Sequence, residues 1–153
     1  MTMERLLAEI SRSHFPNAPA TLAQVAAFEA RVGWPLDPDL RAFYLHCDGA
    51  TLFRPRPDAD YRILSLAEIQ RARVELRGQD DDSKGAASWY TLLYLQDSDY
   101  VLVDVSRQKD GRYPLLDAFH ETYPLEVRQI AASFGEFMER ALCSGNQFFW
   151  LKE

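Results

Sequence analysis

The sequence has few of the residues that build metal sites, disulfide frameworks and phosphate-binding loops. Its 153 residues include two cysteines, three histidines and seven glycines. Cys47 and Cys143 form no CxxC pair, and no two histidines stand in an HxH or HExxH arrangement, so the sequence predicts no zinc site. The patterns GxGxxG, GxxxxGK[ST] and GxSxG are also missing. We therefore expect no metal, no cofactor and no catalytic residue.

Basic residues are outnumbered by acidic ones, 17 to 23, which gives a net charge of −6. Nucleic-acid binding and docking on anionic lipid both usually require a basic face. The apolar runs are too short to cross a bilayer. The first ten residues include Glu4 and Glu9 and lack the apolar core of a signal peptide. We expect a cytoplasmic protein with free thiols that contacts neither nucleic acid nor membrane.

The length and a hydrophobic content of 47% are typical of one globular domain, which we predict to span residues 1–153. The order of helices, then strands, then a helix indicates the α+β class. We expect a central antiparallel sheet of about four or more strands, flanked by helices. The predicted helices span residues 3–10, 22–32, 38–47 and 65–78, with a last one opening at Ser133; the predicted strands span residues 61–64, 89–95, 100–105 and 113–116.

The clearest local signals lie between residues 21 and 49. Thr21 and Gln24 have the spacing of a capping box at a helix start. Gly33 is the natural end of that helix, because glycine readily adopts the left-handed conformation. Asp37 can cap the next helix, with Pro38 at its first position. The apolar tail at residues 148–151 is predicted to pack back on the domain, since an exposed run of this kind would promote association.

Two arrangements could support catalysis, and each has a simpler explanation. His46 and Cys47 are adjacent, but neighbours on a helix point about 100° apart, and Cys47 falls on the apolar face as an ordinary buried thiol. Asp117 and His120 could form a carboxylate-oriented base, yet no nucleophile lies near them in sequence. A surface ion pair or a loop hydrogen bond explains them better. A small-molecule enzyme using these groups stays as the weakest alternative.

The segment between residues 78 and 99 is rich in acidic and aromatic side chains. It has five aspartates against one lysine. One interpretation is a solvated loop beside a buried aromatic strand. The other is a negative patch for a basic partner, in which charge speeds encounter and aromatic side chains anchor the contact. The candidate partner-binding residues are Asp80, Asp81, Asp82, Trp89, Tyr90, Asp97 and Asp99.

Residues 28–49 resemble the signature of the SMI1/KNR4 (SUKH) family. That signature has a Phe-Glu helix, a glycine, an elbow with proline and leucine, an aromatic helix with an acidic start, and Asn-Gly. Asp48 here replaces the usual asparagine. Residues 63–69 and 130–137 resemble the family's strand-to-helix step and its last helix, in the same order. The signature residues are Phe28, Gly33, Trp34, Pro35, Leu36, Phe43, Asp48 and Gly49.

The resemblance implies an α+β domain without catalytic residues. Bacterial members of the family are typically immunity proteins that neutralise a cognate toxin, often a nuclease, and fungal members act in cell-wall signalling through protein contacts. The acidic composition suits a basic toxin. The resemblance thus implies a toxin-binding protein, which we expect to be a monomer or weak homodimer. A regulatory protein-interaction scaffold is the alternative.

Overall fold

A seven-stranded antiparallel sheet forms the centre of the protein. The computed structural model describes residues 1–152, so Glu153, the last residue of the predicted domain, lies outside the described residues. Each strand pairs with the next one along the chain, in the order β1 to β7. The predicted α+β class and antiparallel sheet are confirmed. The strands are β1 Phe15–Pro16, β2 Ala50–Leu52, β3 Tyr61–Ile63, β4 Trp89–Tyr94, β5 Tyr100–Asp104, β6 Leu115–Ala118 and β7 Val127–Ala131.

Helices cover the sheet and bury both of its faces. The α-helices are α1 Met3–Ser13, α2 Leu22–Val32, α3 Pro38–His46, α4 Ala72–Arg77 and α5 Phe134–Leu142. Neighbouring residues of β5 point to opposite sides: Val101 and Val103 join the main core, whereas Leu102 joins a smaller cluster with Ala72 of α4 and Tyr123. This alternation is what a strand buried on both faces requires.

The predicted helix boundaries between residues 21 and 49 are confirmed. Thr21 Oγ1 accepts the backbone N–H of Gln24 at 3.1 Å, and Gln24 Oε1 accepts that of Thr21 at 2.9 Å. Gly33 has φ +82° and donates its N–H to the carbonyl of Glu29. These local bonds satisfy backbone groups that a helix end would otherwise leave unpaired.

The prediction of one continuous helix over residues 65–78 is wrong, because the helix is interrupted between residues 69 and 71. The capping box of Ser65 and Glu68 is present, but it opens only a 3-10 turn at residues 66–68. Gln70 accepts the N–H of Thr91 at 2.9 Å and donates its own N–H to the Thr91 hydroxyl at 3.3 Å. Pairing with the β4 strand thus holds residues 69–71 extended, and α4 begins only at Ala72.

Three strands were missed from the sequence, whereas all four predicted strands are present, although β6 begins two residues later than predicted. The hairpin of β4 and β5 is confirmed. The strand β2 is only three residues long and fully buried, so it shows no alternation. The strand β7 pairs with β6 across a register shift between Leu115 and Leu116, and β1 is a two-residue edge strand between α1 and α2. Short or irregular strands leave little periodic signal.

The C-terminal tail packs into the core as predicted. Residues 149–152 form a 3-10 turn, and the Trp150 side chain is 1% exposed. Its ring contacts those of Phe137, Tyr61 and Phe148, with centroid distances of 5.7, 6.1 and 5.1 Å. The tail therefore belongs to the same core as α5 and β3.

The elbow at residues 34–37 joins α2, α3 and the sheet. The Trp34 ring meets the rings of Phe28, Tyr90 and Tyr113 edge to face, with centroids 5.1 to 5.8 Å apart. The Tyr113 hydroxyl donates to the carbonyl of Pro35 at 2.8 Å. These aromatic contacts form one packed cluster, which fixes the direction in which the chain enters α3.

Asp37 caps α3 and also holds a distant part of the chain. Its Oδ1 accepts the N–H of Leu40 at 2.9 Å, and its Oδ2 accepts that of Tyr113, also at 2.9 Å. Burial raises the pKa of Asp37, and these two donors oppose the shift. The carboxylate therefore links the start of α3 to the segment that leads into β6.

We expect Asp37→Ala to reduce the free energy of unfolding by about 2 to 4 kcal/mol, because it removes a helix cap and leaves the N–H of Tyr113 unpaired. Asp37→Asn should lose less, since its amide oxygen can still accept the N–H of Leu40. Urea unfolding measures both changes. The exposed Asp58 provides the control variant Asp58→Ala, and an equal loss in Asp58→Ala and Asp37→Ala would contradict the assignment.

Protonation of His14 should destabilise the fold. Its Nδ1 accepts the N–H of Phe53 at 2.9 Å, so the ring must be neutral. Burial lowers the pKa of His14 below the ordinary 6.5, and Glu9 partly opposes this. A lowered pKa in the folded state means that the stabilisation is complete above pH 6.5. It is lost as the pH falls through the folded-state value.

Urea unfolding at neutral and mildly acidic pH should therefore show a smaller loss of stability for His14→Gln than for the wild type, whatever the variant's absolute stability. If the stability of the two proteins depends on pH in the same way, protonation of His14 does not destabilise the fold and the prediction is wrong. His46→Gln, which removes a histidine elsewhere, serves as the matched control.

Candidate functional site

The residues considered as catalytic are engaged in structural contacts. Cys47 is buried, which raises the pKa of its thiol to about 12, so it is protonated at neutral pH and a poor nucleophile. Its neighbour His46 places Nε2 2.7 Å from the Ser11 hydroxyl on α1. The predicted buried thiol is confirmed, and His46 contacts α1 rather than Cys47.

His120 pairs with a different carboxylate from the one considered in the sequence. Its Nδ1 lies 2.7 Å from Oδ1 of Asp99, which also accepts the backbone N–H of His120 at 2.9 Å. Asp117 instead lies on β6, where burial raises its pKa and Arg128 opposes the shift. The Asp99–His120 contact therefore joins the β4–β5 turn to the loop after β6.

Within residues 1–152, no three His, Cys, Asp or Glu side chains come together as ligands for a metal ion. The same part of the chain contains no helix with the length and apolar character needed to span a membrane.

The aspartates of the 80–82 loop are bound to the protein itself. Arg73 donates to Asp80 and to Asp82, both at 2.7 Å, and Arg71 lies 3.0 Å from Asp80. The side chain of Arg73 is only 7% exposed. Asp81 accepts the N–H of Ser83 at 3.0 Å and stabilises a 3-10 turn. Much of the negative charge predicted for this loop is therefore balanced locally.

The remaining predicted partner-binding residues lie at two ends of the β4–β5 hairpin. Trp89 pairs with Asp104 at one end, whereas Asp97 and Asp99 lie in or next to the turn at the other end. The Trp89 ring, half-buried, packs against Tyr123. The predicted residues therefore do not form one continuous patch.

Tyr90, which the sequence suggested as a surface anchor, is buried. Its ring packs against Trp34 with a centroid distance of 5.1 Å. The alternation of β4 directs Tyr90 into the main core, whereas Trp89 faces the smaller cluster. The aromatic part of the predicted patch thus reduces to Trp89.

A groove of about 580 Å³ lies beside Asp99, between the loop that follows β6, the start of β7 and the C-terminal turn. We call it the apolar groove. Leu125 is 91% exposed, Leu151 65% and Phe119 40%, although apolar side chains of this size are usually covered. The apolar residues that line it are Leu95, Phe119, Leu125, Val127, Phe148, Trp150 and Leu151.

Among the described residues that line the apolar groove, acidic groups outnumber basic ones. Asp99, Asp117 and Glu126 contribute carboxylates, and Arg128 contributes a guanidinium group. Arg128 also donates a hydrogen bond to the carbonyl of Trp150, which ties β7 to the C-terminal turn. The groove thus combines an apolar surface with a negative rim.

A second groove, of about 590 Å³, is polar, and its charged side chains bind one another or neighbouring hydroxyl groups. Arg62 donates to Glu68 at 2.6 Å, and the Tyr100 hydroxyl donates to Glu75 at 3.0 Å. The charged groups are therefore already engaged within the protein, which makes this groove a weaker candidate for binding a partner.

The sequence interpretation found Asp99 but missed the apolar residues of the groove. Phe119 and Leu125 stand in a polar segment that was assigned to no helix or strand. Their isolation among polar residues is the signal that was available. Leu151 was assigned to a buried tail, whereas only part of that tail is covered.

The fold and its grooves define an α+β domain with an antiparallel sheet, flanking helices and an exposed apolar groove. The chain belongs to the SMI1/KNR4 family (SUKH-1), whose family model matches residues 19–140. The membership predicted from the signature residues is confirmed. The chain is also similar to the immunity protein YokJ of Bacillus subtilis (strain 168), with 28% identity over 123 residues, covering 77% of this chain and 72% of the relative.

The signature residues build the fold rather than a reactive site. Asp48 Oδ1 accepts the N–H of Leu66 at 2.8 Å. Gly49 has φ +92°, and a Cβ at this position would lie 2.8 Å from the carbonyl of Ile63. Phe43 is fully buried beside Phe134. The signature therefore specifies turns and packing.

We expect Asp80→Asn combined with Asp82→Asn to lower the melting temperature, because the covered guanidinium group of Arg73 would lose both of its carboxylate partners. Asp81→Asn is the matched control, since an asparagine oxygen can still accept the N–H of Ser83. Thermal unfolding monitored by circular dichroism compares the two variants. If the double variant melts no lower than Asp81→Asn, the ion pairs contribute little to stability.

Proposed function

We propose that this protein is an immunity protein that binds a cognate toxin in the cytoplasm and neutralises it without catalysis. The observation that carries the proposal is the similarity to the immunity protein YokJ, which extends over 72% of that relative. The match of the SMI1/KNR4 family model supports the same role. The protein would act as a monomer or weak homodimer that covers a functional surface of the toxin.

The charge of the protein favours a basic toxin, such as a nuclease. A net charge of −6 attracts a basic surface and raises the rate of encounter. The exposed Glu126 of the apolar groove and the exposed Asp97 beside it are suited to such a partner. The aspartates of the 80–82 loop are already held by Arg71, Arg73 and Ser83, and Asp99 is paired with His120.

A catalytic role has less support. The Cys47 thiol is held protonated by burial, and His120 is oriented by Asp99 in a contact that links two loops. A regulatory scaffold would use the same kind of surface and would differ in its partner. The choice between scaffold and immunity protein therefore depends on which protein is bound.

The test is to find a neighbouring gene that encodes a toxin domain and to measure protection against that domain. Inducible expression of that domain in a bacterial host should stop growth, and co-expression of this protein should restore it. Purified protein and toxin should form a stable complex in size-exclusion chromatography. A toxin domain from an unrelated gene pair is the control. Continued growth arrest, with no complex formed by the purified proteins, would contradict the proposal.

A further inference from the structure

The apolar groove concentrates exposed apolar surface that is otherwise scattered. Six large apolar residues are exposed within residues 1–152, and three of them, Phe119, Leu125 and Leu151, line this groove. The other three are Met1, Phe15 and Leu22. Single exposed apolar residues are ordinary, but several around one concave surface are typical of a binding site.

The floor of the groove is rigidly held. Trp150 is buried, stacks on Phe148 with an interplanar angle of 17°, and accepts a hydrogen bond from Arg128 through its carbonyl. The Asp99–His120 contact fixes the loop that carries Phe119. A surface that is already ordered loses little conformational entropy when a partner binds.

The charge of the groove determines what can occupy it. Among the described lining residues, Asp99, Asp117 and Glu126 are acidic and Arg128 is basic, and the exposed Asp97 lies in the adjoining turn. A second copy of this chain would bring like charges together across the contact, which is unfavourable. A segment with an apolar side chain flanked by Lys or Arg would complement both the apolar surface and the acidic rim.

We infer that the apolar groove is the docking site for the partner, and that it binds a basic segment of the toxin with an apolar side chain inserted between Leu125 and Trp150. The inference rests on the proposed function, and it specifies which surface of the protein performs it. Leu125 supplies the most exposed apolar contact, and Glu126 supplies charge at the edge of the groove.

Two substitutions test the surface by separate effects. Leu125→Lys places a cation in the apolar contact, and we expect it to raise the Kd for the purified toxin domain about tenfold or more. Glu126→Lys reverses a charge at the rim, and we expect it mainly to slow association and to weaken the dependence of the association rate on salt. Surface plasmon resonance at several salt concentrations measures both effects.

Each variant has a matched control away from the groove. Leu22→Lys changes another exposed leucine, 65% exposed on α2, and Asp58→Lys reverses an exposed charge in the loop before β3. Both should bind the toxin within about twofold of the wild type. Because Leu125 and Glu126 are exposed, their variants should also melt within a few degrees of the wild type.

The outcomes distinguish the groove from the function itself. If the wild type protects the host and Leu125→Lys binds as tightly as Leu22→Lys, the groove is not the docking site, while the immunity role stands. If the wild type does not bind the toxin domain, both proposals fall. Sedimentation analysis adds a further check, since a stable dimer that Leu125→Lys dissociates would assign the groove to a second copy and overturn the inference.

Discussion

The carboxylate of Asp37 is the contact on which the arrangement of the helices over the sheet depends. Its Oδ1 accepts the N–H of Leu40 and caps the start of α3. Its Oδ2 accepts the N–H of Tyr113, which lies 76 residues further along the chain. The Tyr113 ring then completes the aromatic cluster around Trp34. A single buried group thus couples a local helix start to the long-range packing of the sheet.

Two other aspartates extend this pattern to the rest of the core. Asp39 accepts the N–H of Gly135 at 3.1 Å, which joins α3 to the start of α5, and Asp48 accepts the N–H of Leu66. Each carboxylate accepts a hydrogen bond from a backbone N–H that would otherwise have no partner inside the packed protein. Acidic side chains near the signature therefore serve the fold.

Local signals in the sequence predicted the parts of the fold that depend on residues close together in the chain. The caps at Thr21 and Asp37 and the β4–β5 hairpin follow from residues a few positions apart. The interruption of the predicted helix at Gln70 and the pairing of β7 depend on strands far away in sequence. Local secondary-structure propensity carries no information about such contacts. For the candidate site, Asp99 was found, but the pairing of Arg73 with the acidic loop and the convergence of Phe119 with Leu151 required the tertiary structure.

If the apolar groove binds the partner as proposed, its construction separates recognition from folding. Leu125 is almost fully exposed, while Trp150 below it is buried in the core, and residues 148–151 lie beyond the range matched by the family model. Substitutions on the outer wall can change the shape and charge presented to a partner without removing a buried contact. Under the proposed function, the same framework could therefore acquire a new binding specificity through a few surface substitutions.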